Sequence, residues 1–84
     1  MWSFAITLGL IQELLEAAGR YRDALIAARE RVAMYRHLVT VRPDPHLSFL
    51  ADALADLARL LFLIGDLAQA RAARAEADWI RQHA

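Results

Sequence analysis

Apolar residues recur along this chain at helical spacing, in four blocks separated by glycine or proline. In the first block Phe4, Thr7, Leu8, Ile11, Leu14, Leu15 and Ala18 share one face at the 3.6-residue period, which predicts a helix over 3–18. Gly19 ends it, because glycine enters the left-handed conformation without a Cβ clash. The second block predicts a helix over 21–41, about 30 Å long, with Tyr21, Ala24, Leu25, Ala28, Val32, Tyr35 and Val39 as its apolar stripe. Arg42-Pro43-Asp44-Pro45 then interrupts the pattern, since proline supplies no N–H and pushes its predecessor out of helical geometry. Asp44 is placed as the N-cap of a third helix over 45–64, with Pro45 at its first position. That helix is expected to bury Leu47, Leu50, Leu54, Leu57, Leu61 and Ile64. Gly65 stops it, and Asp66 with Gln69 forms a capping-box pattern for a fourth, more polar helix over 67–82.

The four blocks are two copies of one unit. A shift of 46 positions lays residues 3–25 over residues 49–71, so that Ala5 falls on Ala51, Leu8 on Leu54, Leu14 on Leu60, Leu15 on Leu61, Gly19 on Gly65 and Ala24 on Ala70. A fixed period of this size is the signature of a helical solenoid. Both glycine junctions are tight, so each helix pair must fold back as an antiparallel hairpin. The expected architecture is all-α: one domain over 1–84, with two stacked antiparallel helix hairpins as repeat units 3–42 and 46–83.

Composition narrows the function classes. The hydrophobic fraction of 58% exceeds the usual ~45–50%, and alanine and leucine, both strong helix formers, supply most of the excess. Ten basic residues, all arginine, balance ten acidic ones, for zero net charge. That balance disfavours a dedicated nucleic-acid binder, which carries a basic excess. The chain contains no cysteine, which excludes disulfides, thiolate metal sites and thiol nucleophiles. The apolar N-terminal stretch MWSFAITLGLI is cut short by Gln12, Glu13 and Glu16 and lacks a basic flank and cleavage site, so it reads as the start of a core helix in a cytoplasmic protein.

The pattern resembles the tetratricopeptide repeat over nearly the whole chain. In the second unit Leu54, Leu57, Ala58, Leu61, Gly65, Ala70 and Ala77 stand at the positions of that family's hairpin, and in the first unit Leu8, Ile11, Leu15, Gly19, Tyr21 and Ala24 do. The run AGRYRDALIAARERVAMYRHL is similar to the long variants of actinobacterial proteins, whose period also exceeds the usual 34 residues. Gln12, Arg31 and Arg74 depart from the family's preference for small or uncharged residues, which questions close packing at those three points. The resemblance implies a short α-solenoid that binds peptides or proteins and catalyses nothing. The lysine and asparagine clamp that some members use for a peptide carboxylate is absent, since the chain contains neither residue.

Candidate chemistry is sparse. His37, His46 and His83 share no ligand spacing and read as solvated surface histidines. Glu13 with Glu16, and Asp52 with Asp56, lie one turn apart on solvated helix faces, with no sign of an acid–base pair. The three glycines stand far apart and form no phosphate loop, so neither metal, cofactor nor enzymatic activity is expected. Arg22, Arg29 and Arg36 recur every seventh residue on the second helix and are expected to lie over the core edge, pairing with neighbours such as Asp23 and Glu30.

The most informative contrast is at Trp2, Ile6 and Leu10, an apolar row whose counterparts in the second unit are Ser48, Asp52 and Asp56. The repeat therefore does not require apolar side chains there, and an exposed row of this kind calls for a partner. By the family resemblance this side of the first helix of each pair lines a groove, which nominates Trp2, Ile6, Leu10, Phe62 and Leu63 as apolar contacts and Glu13, Glu16, Asp52 and Asp56 as an acidic rim. The reading is a protein–protein interaction module for a peptide or protein partner, with no membrane or nucleic-acid role. A homo-oligomerisation unit, or the end piece of a larger regulatory array, is the first alternative. A small helical nucleic-acid-binding domain is the second, and zero net charge weighs against it.

Overall fold

The computed structural model describes residues 2–83, with the side chain of Trp2 outside the described set. Four helices follow one another: α1 (Trp2–Ala17), α2 (Tyr21–Val41), α3 (Pro43–Leu63) and α4 (Leu67–His83). Each packs on its neighbour in sequence, α1 on α2, α2 on α3 and α3 on α4, as a stack of two helical hairpins. No strand occurs among the described residues. The Cα trace occupies a slab of 34 × 27 × 14 Å.

The internal repeat is reproduced down to single hydrogen bonds. Gly19 (φ 75°) and Gly65 (φ 90°) both take the left-handed conformation. At the first junction the Gly19 N–H donates to the Glu16 carbonyl at 2.9 Å and the Arg20 N–H to Leu15 at 2.8 Å. At the second, Gly65 donates to Phe62 at 3.1 Å and Asp66 to Leu61 at 2.9 Å. These are paired Schellman closures, in which the glycine lets the last turn satisfy carbonyls that the helix leaves unpaired. The expected cap of α4 forms in half: the Asp66 carboxylate accepts from the Gln69 N–H at 3.2 Å, while the Gln69 side chain takes a different partner.

The proline junction differs from expectation. Arg42, with φ −145° and ψ 92°, is the N-cap of α3 and uses no side-chain bond. Pro43 therefore occupies the first helical position, and Asp44 sits inside the first turn, where its negative charge still favours the helix dipole. Extended geometry at Arg42 is what the following proline imposes.

The core is leucine and alanine. Leu54, Leu60 and Leu61 on α3 are its largest fully enclosed apolar side chains, surrounded by Ala5, Ala24, Ala28, Val32, Tyr35, Ala51, Ala77 and Ile80. Each such leucine contributes roughly 1.5–3 kcal/mol when fully buried. Tyr35 stacks on Phe49 with ring centroids 5.8 Å apart, which fastens α2 to α3. The stripe expected for α1 is only partly covered: Leu8 is buried and Leu15 half-buried, whereas Phe4, Thr7, Ile11, Leu14 and Ala18 are exposed. Alone among the helices that begin a hairpin, α1 has no helix on its outer flank among the described residues.

Gly19→Val and Gly65→Val are each expected to lower stability by roughly 1 kcal/mol or more, because a β-branched residue is strained in the left-handed region. Open space surrounds both positions, so backbone strain and not crowding is what thermal denaturation of the variants would read.

Candidate interaction surface

The faces of α1 and α3 that the repeat logic turns to one side carry different chemistry in the two hairpins. On α1, Ile6, Leu10 and Glu13 are exposed. At the corresponding places of α3 stand Asp52, Asp56 and Arg59, and all three are engaged in ion pairs. Asp52 accepts from Arg81 of α4 at 2.9 Å. Asp56 accepts from Arg31 of α2 at 2.8 Å. Arg59 reaches Glu16 of α1 at 2.5 Å and lies 3.8 Å from Asp56. Of the four acids nominated for a rim, Glu13 is the one with no ion pair among the described residues. The structure brings Glu16 and Asp56 together through Arg59, and places Phe62 and Leu63 in the open near the end of α3. The Trp2 side chain lies outside the described residues.

Behind these acids is a polar joint that pattern reading does not find. Gln12 is 1% exposed, the one buried polar side chain among the described residues. Its amide nitrogen donates to Glu16 at 3.1 Å and its oxygen accepts from Arg31 at 3.4 Å. The Arg31 guanidinium thus meets α1 through Gln12 and α3 through Asp56, with its Cζ 6.0 Å from the Tyr35 ring centroid. The guanidinium passes beside Gly9, where a Cβ would stand 3.4 Å from Arg31 Nε, in ordinary contact. Gln12 and Arg31, the two departures from the expected small residues, are therefore partners of one another and not two packing faults. Their bond spans 19 residues of sequence, and only the relative placement of α1 and α2 shows it.

The arginine row of α2 also has other partners than its sequence neighbours. Arg29 donates to the Gln69 side chain at 3.0 Å, and Arg36 makes a bidentate pair with Glu76 at 2.5 and 2.7 Å. Both bonds cross from α2 to α4, so the row ties the second helices of the two hairpins together. Asp23 pairs instead with Arg20 at 2.5 Å. His46, expected in solvent, is half-buried beside Phe49, and its Nδ1 has no hydrogen-bond partner among the described residues.

A cleft of about 580 Å³ opens between α3 and α4, floored by Ala55, Ala58 and Ala70, with Phe62 and Leu67 at its apolar edge and arginines 59, 71 and 74 around it. Among the described residues no three histidine, aspartate or glutamate side chains converge as a metal site, and no helix is long and apolar enough to cross a membrane. No family model matches the chain, and neither a curated protein nor a solved structure matches it.

The cross-hairpin ion pairs shift their members. The Arg59 hydrogen bond holds the Glu16 carboxyl below the usual carboxylate range against a smaller opposing effect of burial, and Arg36 does the same for Glu76. Arg59 and Arg36 are raised in turn by those same bonds. A carboxylate with a lowered folded pKa stabilises fully above its unfolded value, about 4.3 for glutamate, and loses that contribution as pH falls through the folded value. The Arg36–Glu76 pair is partly exposed, so its contribution is modest, roughly 0.2–1 kcal/mol. Glu76→Gln is expected to cost that amount at pH 7 and progressively less below about pH 4.3. Urea titrations of both proteins across pH would check this, and a difference that stays constant in acid would contradict it.

Proposed function

We propose that this chain is a non-catalytic protein–protein interaction module of tetratricopeptide type, which takes a peptide segment or partner protein on the groove-side face of α1 and α3. The observation that carries the reading is the contrast between the two hairpins. Ile6 and Leu10 are apolar and exposed, while their counterparts Asp52 and Asp56 are charged and held in ion pairs. The hairpin closes equally well with either set, so apolar side chains at 6 and 10 serve something other than the fold. A segment with apolar side chains toward Ile6 and Leu10, and a basic residue near Glu13, suits the chemistry of this face. Phe62 and Leu63 extend the apolar contact at the end of α3. A bacterial, cytoplasmic setting belongs to the same reading and rests on the resemblance to long actinobacterial repeats.

The test exchanges the first hairpin's residues for those of the second. Ile6→Asp combined with Leu10→Asp should leave helicity by circular dichroism close to that of the wild type, because both positions are exposed. Segments selected on the wild-type protein from a displayed peptide library should bind the double variant at least tenfold more weakly, since each change puts a charge into a desolvated contact. Unchanged binding by a folded double variant would remove the reason for assigning this face.

A further inference from the structure

The flank of α1 beside this face carries a different pattern. Phe4, Thr7, Ile11, Leu14 and Ala18 follow one another at alternating steps of three and four residues, the heptad spacing of a helix–helix seam. All five are exposed, and neither they nor the flanking Ser3 and Leu10 carry a charge. The repeat shows how such a flank is used. The counterparts of Phe4, Ile11 and Leu14 are Leu50, Leu57 and Leu60, which are 4%, 7% and 0% exposed. They lie on the flank of α3 next to Phe49 and Asp56, the residues that touch Tyr35 and Arg31 of α2. Phe4, Ile11 and Leu14 themselves are 54%, 42% and 71% exposed. Within the chain, then, this flank is covered by a packed helix in one hairpin and by nothing described in the other.

We infer that two copies of this chain pair through α1, seam against seam about a two-fold axis. The occupant follows from what the rest of the surface offers. A head-to-tail arrangement would seat α1 on the outer side of α4, as α3 sits on α2. At that place α2 offers Leu25, Ala28, Val32 and Tyr35, but α4 has Arg71, Arg74, Asp78 and Arg81, and the apolar seam finds no match there. The seam does match itself. It is charge-free over its length, and an antiparallel pairing of two α1 helices sets Phe4 of each copy toward the far end of the other, with Ile11 near the axis. Opposed helix dipoles favour the same direction. A two-fold contact closes at two chains, whereas a head-to-tail contact would continue into a filament. The seam adjoins the Ile6–Leu10 side at Leu10, and separate readouts tell the two readings apart: mass for the pairing, peptide binding for the proposed function.

Sedimentation equilibrium and light scattering over a range of concentrations test the pairing. The expected mass rises from 9.5 kDa to twice that value and stops there. Leu14→Glu, at the most exposed of the large seam residues, should weaken association at least a hundredfold while circular dichroism stays unchanged; Trp79→Glu, also exposed and on α4, the helix a head-to-tail contact would use, should pair like the wild type. A wild-type chain that stays monomeric at hundreds of micromolar overturns the inference. So does a dimer indifferent to Leu14→Glu in a folded protein. Loss of association in both variants, with recovery when the two are mixed, would also overturn it, since only a head-to-tail contact leaves each variant one working surface. If Leu14→Glu failed to fold, Thr7→Lys on the same seam would serve in its place with the same expected loss.

Discussion

A guanidinium group stands where three helices meet, and the relation between the two hairpins depends on it. Arg31 leaves α2, passes Gly9 of α1 and ends between Gln12 and Asp56. A buried amide without a partner costs about 1–3 kcal/mol, so Gln12 is tolerable at 1% exposure because Arg31 and Glu16 occupy its oxygen and nitrogen. Asp56 in turn faces both Arg31 and Arg59, and Arg59 returns to Glu16. The circuit closes on itself across α1, α2 and α3. Apolar contacts alone would let the hairpins slide, since alanines and leucines pack in several registers. A directional network of this kind has one satisfied arrangement, which fixes the step from the first unit to the second.

That step makes the two ends of the stack unequal. The covered flank of α3 is leucine-rich because α2 lies against it, and the matching flank of α1 is equally apolar with no described helix there. At the other end α4 buries only Ala70, Ala73, Ala77 and Ile80, and turns arginines and acids outward. The two ends thus differ in chemistry, arginine and acid on the α4 side and apolar residues on the α1 side. The exposed pair Ile6 and Leu10 and the exposed row of Phe4, Ile11 and Leu14 both belong to α1.

Local features were legible in the sequence, and lateral ones were not. Glycine at 19 and 65 marked both closures, and the 46-residue offset carried over into hydrogen bonds, because a Schellman motif is written within six residues. The helical period likewise located all four helices. It could not say which part of an apolar stripe has a neighbour: Ile11 and Leu14 share a face with Leu8 and Leu15, yet coverage is decided by a second helix, which the period of one helix does not encode. The same limit hid the polar contacts. Arg31 with Gln12, Arg36 with Glu76 and Arg29 with Gln69 join residues 19 and 40 positions apart, whereas a search along one helix sees only partners three or four residues away. At the proline junction both Pro43 and Pro45 fit a first turn, and the extended Arg42 decided between them.

The dependence of the hairpin step on Arg31 is measured most directly by a double-mutant cycle between Arg31→Met and Asp56→Ala, read by urea unfolding. Methionine keeps much of the arginine's apolar volume, so the cycle isolates the charged contact from packing. If the guanidinium joins the hairpins as described, each single change strands a partly buried charge, and the double variant is less destabilised than the two losses together, by about 0.5 kcal/mol or more. Strictly additive losses would mean that the two residues act independently and that Arg31 does not couple the hairpins through Asp56.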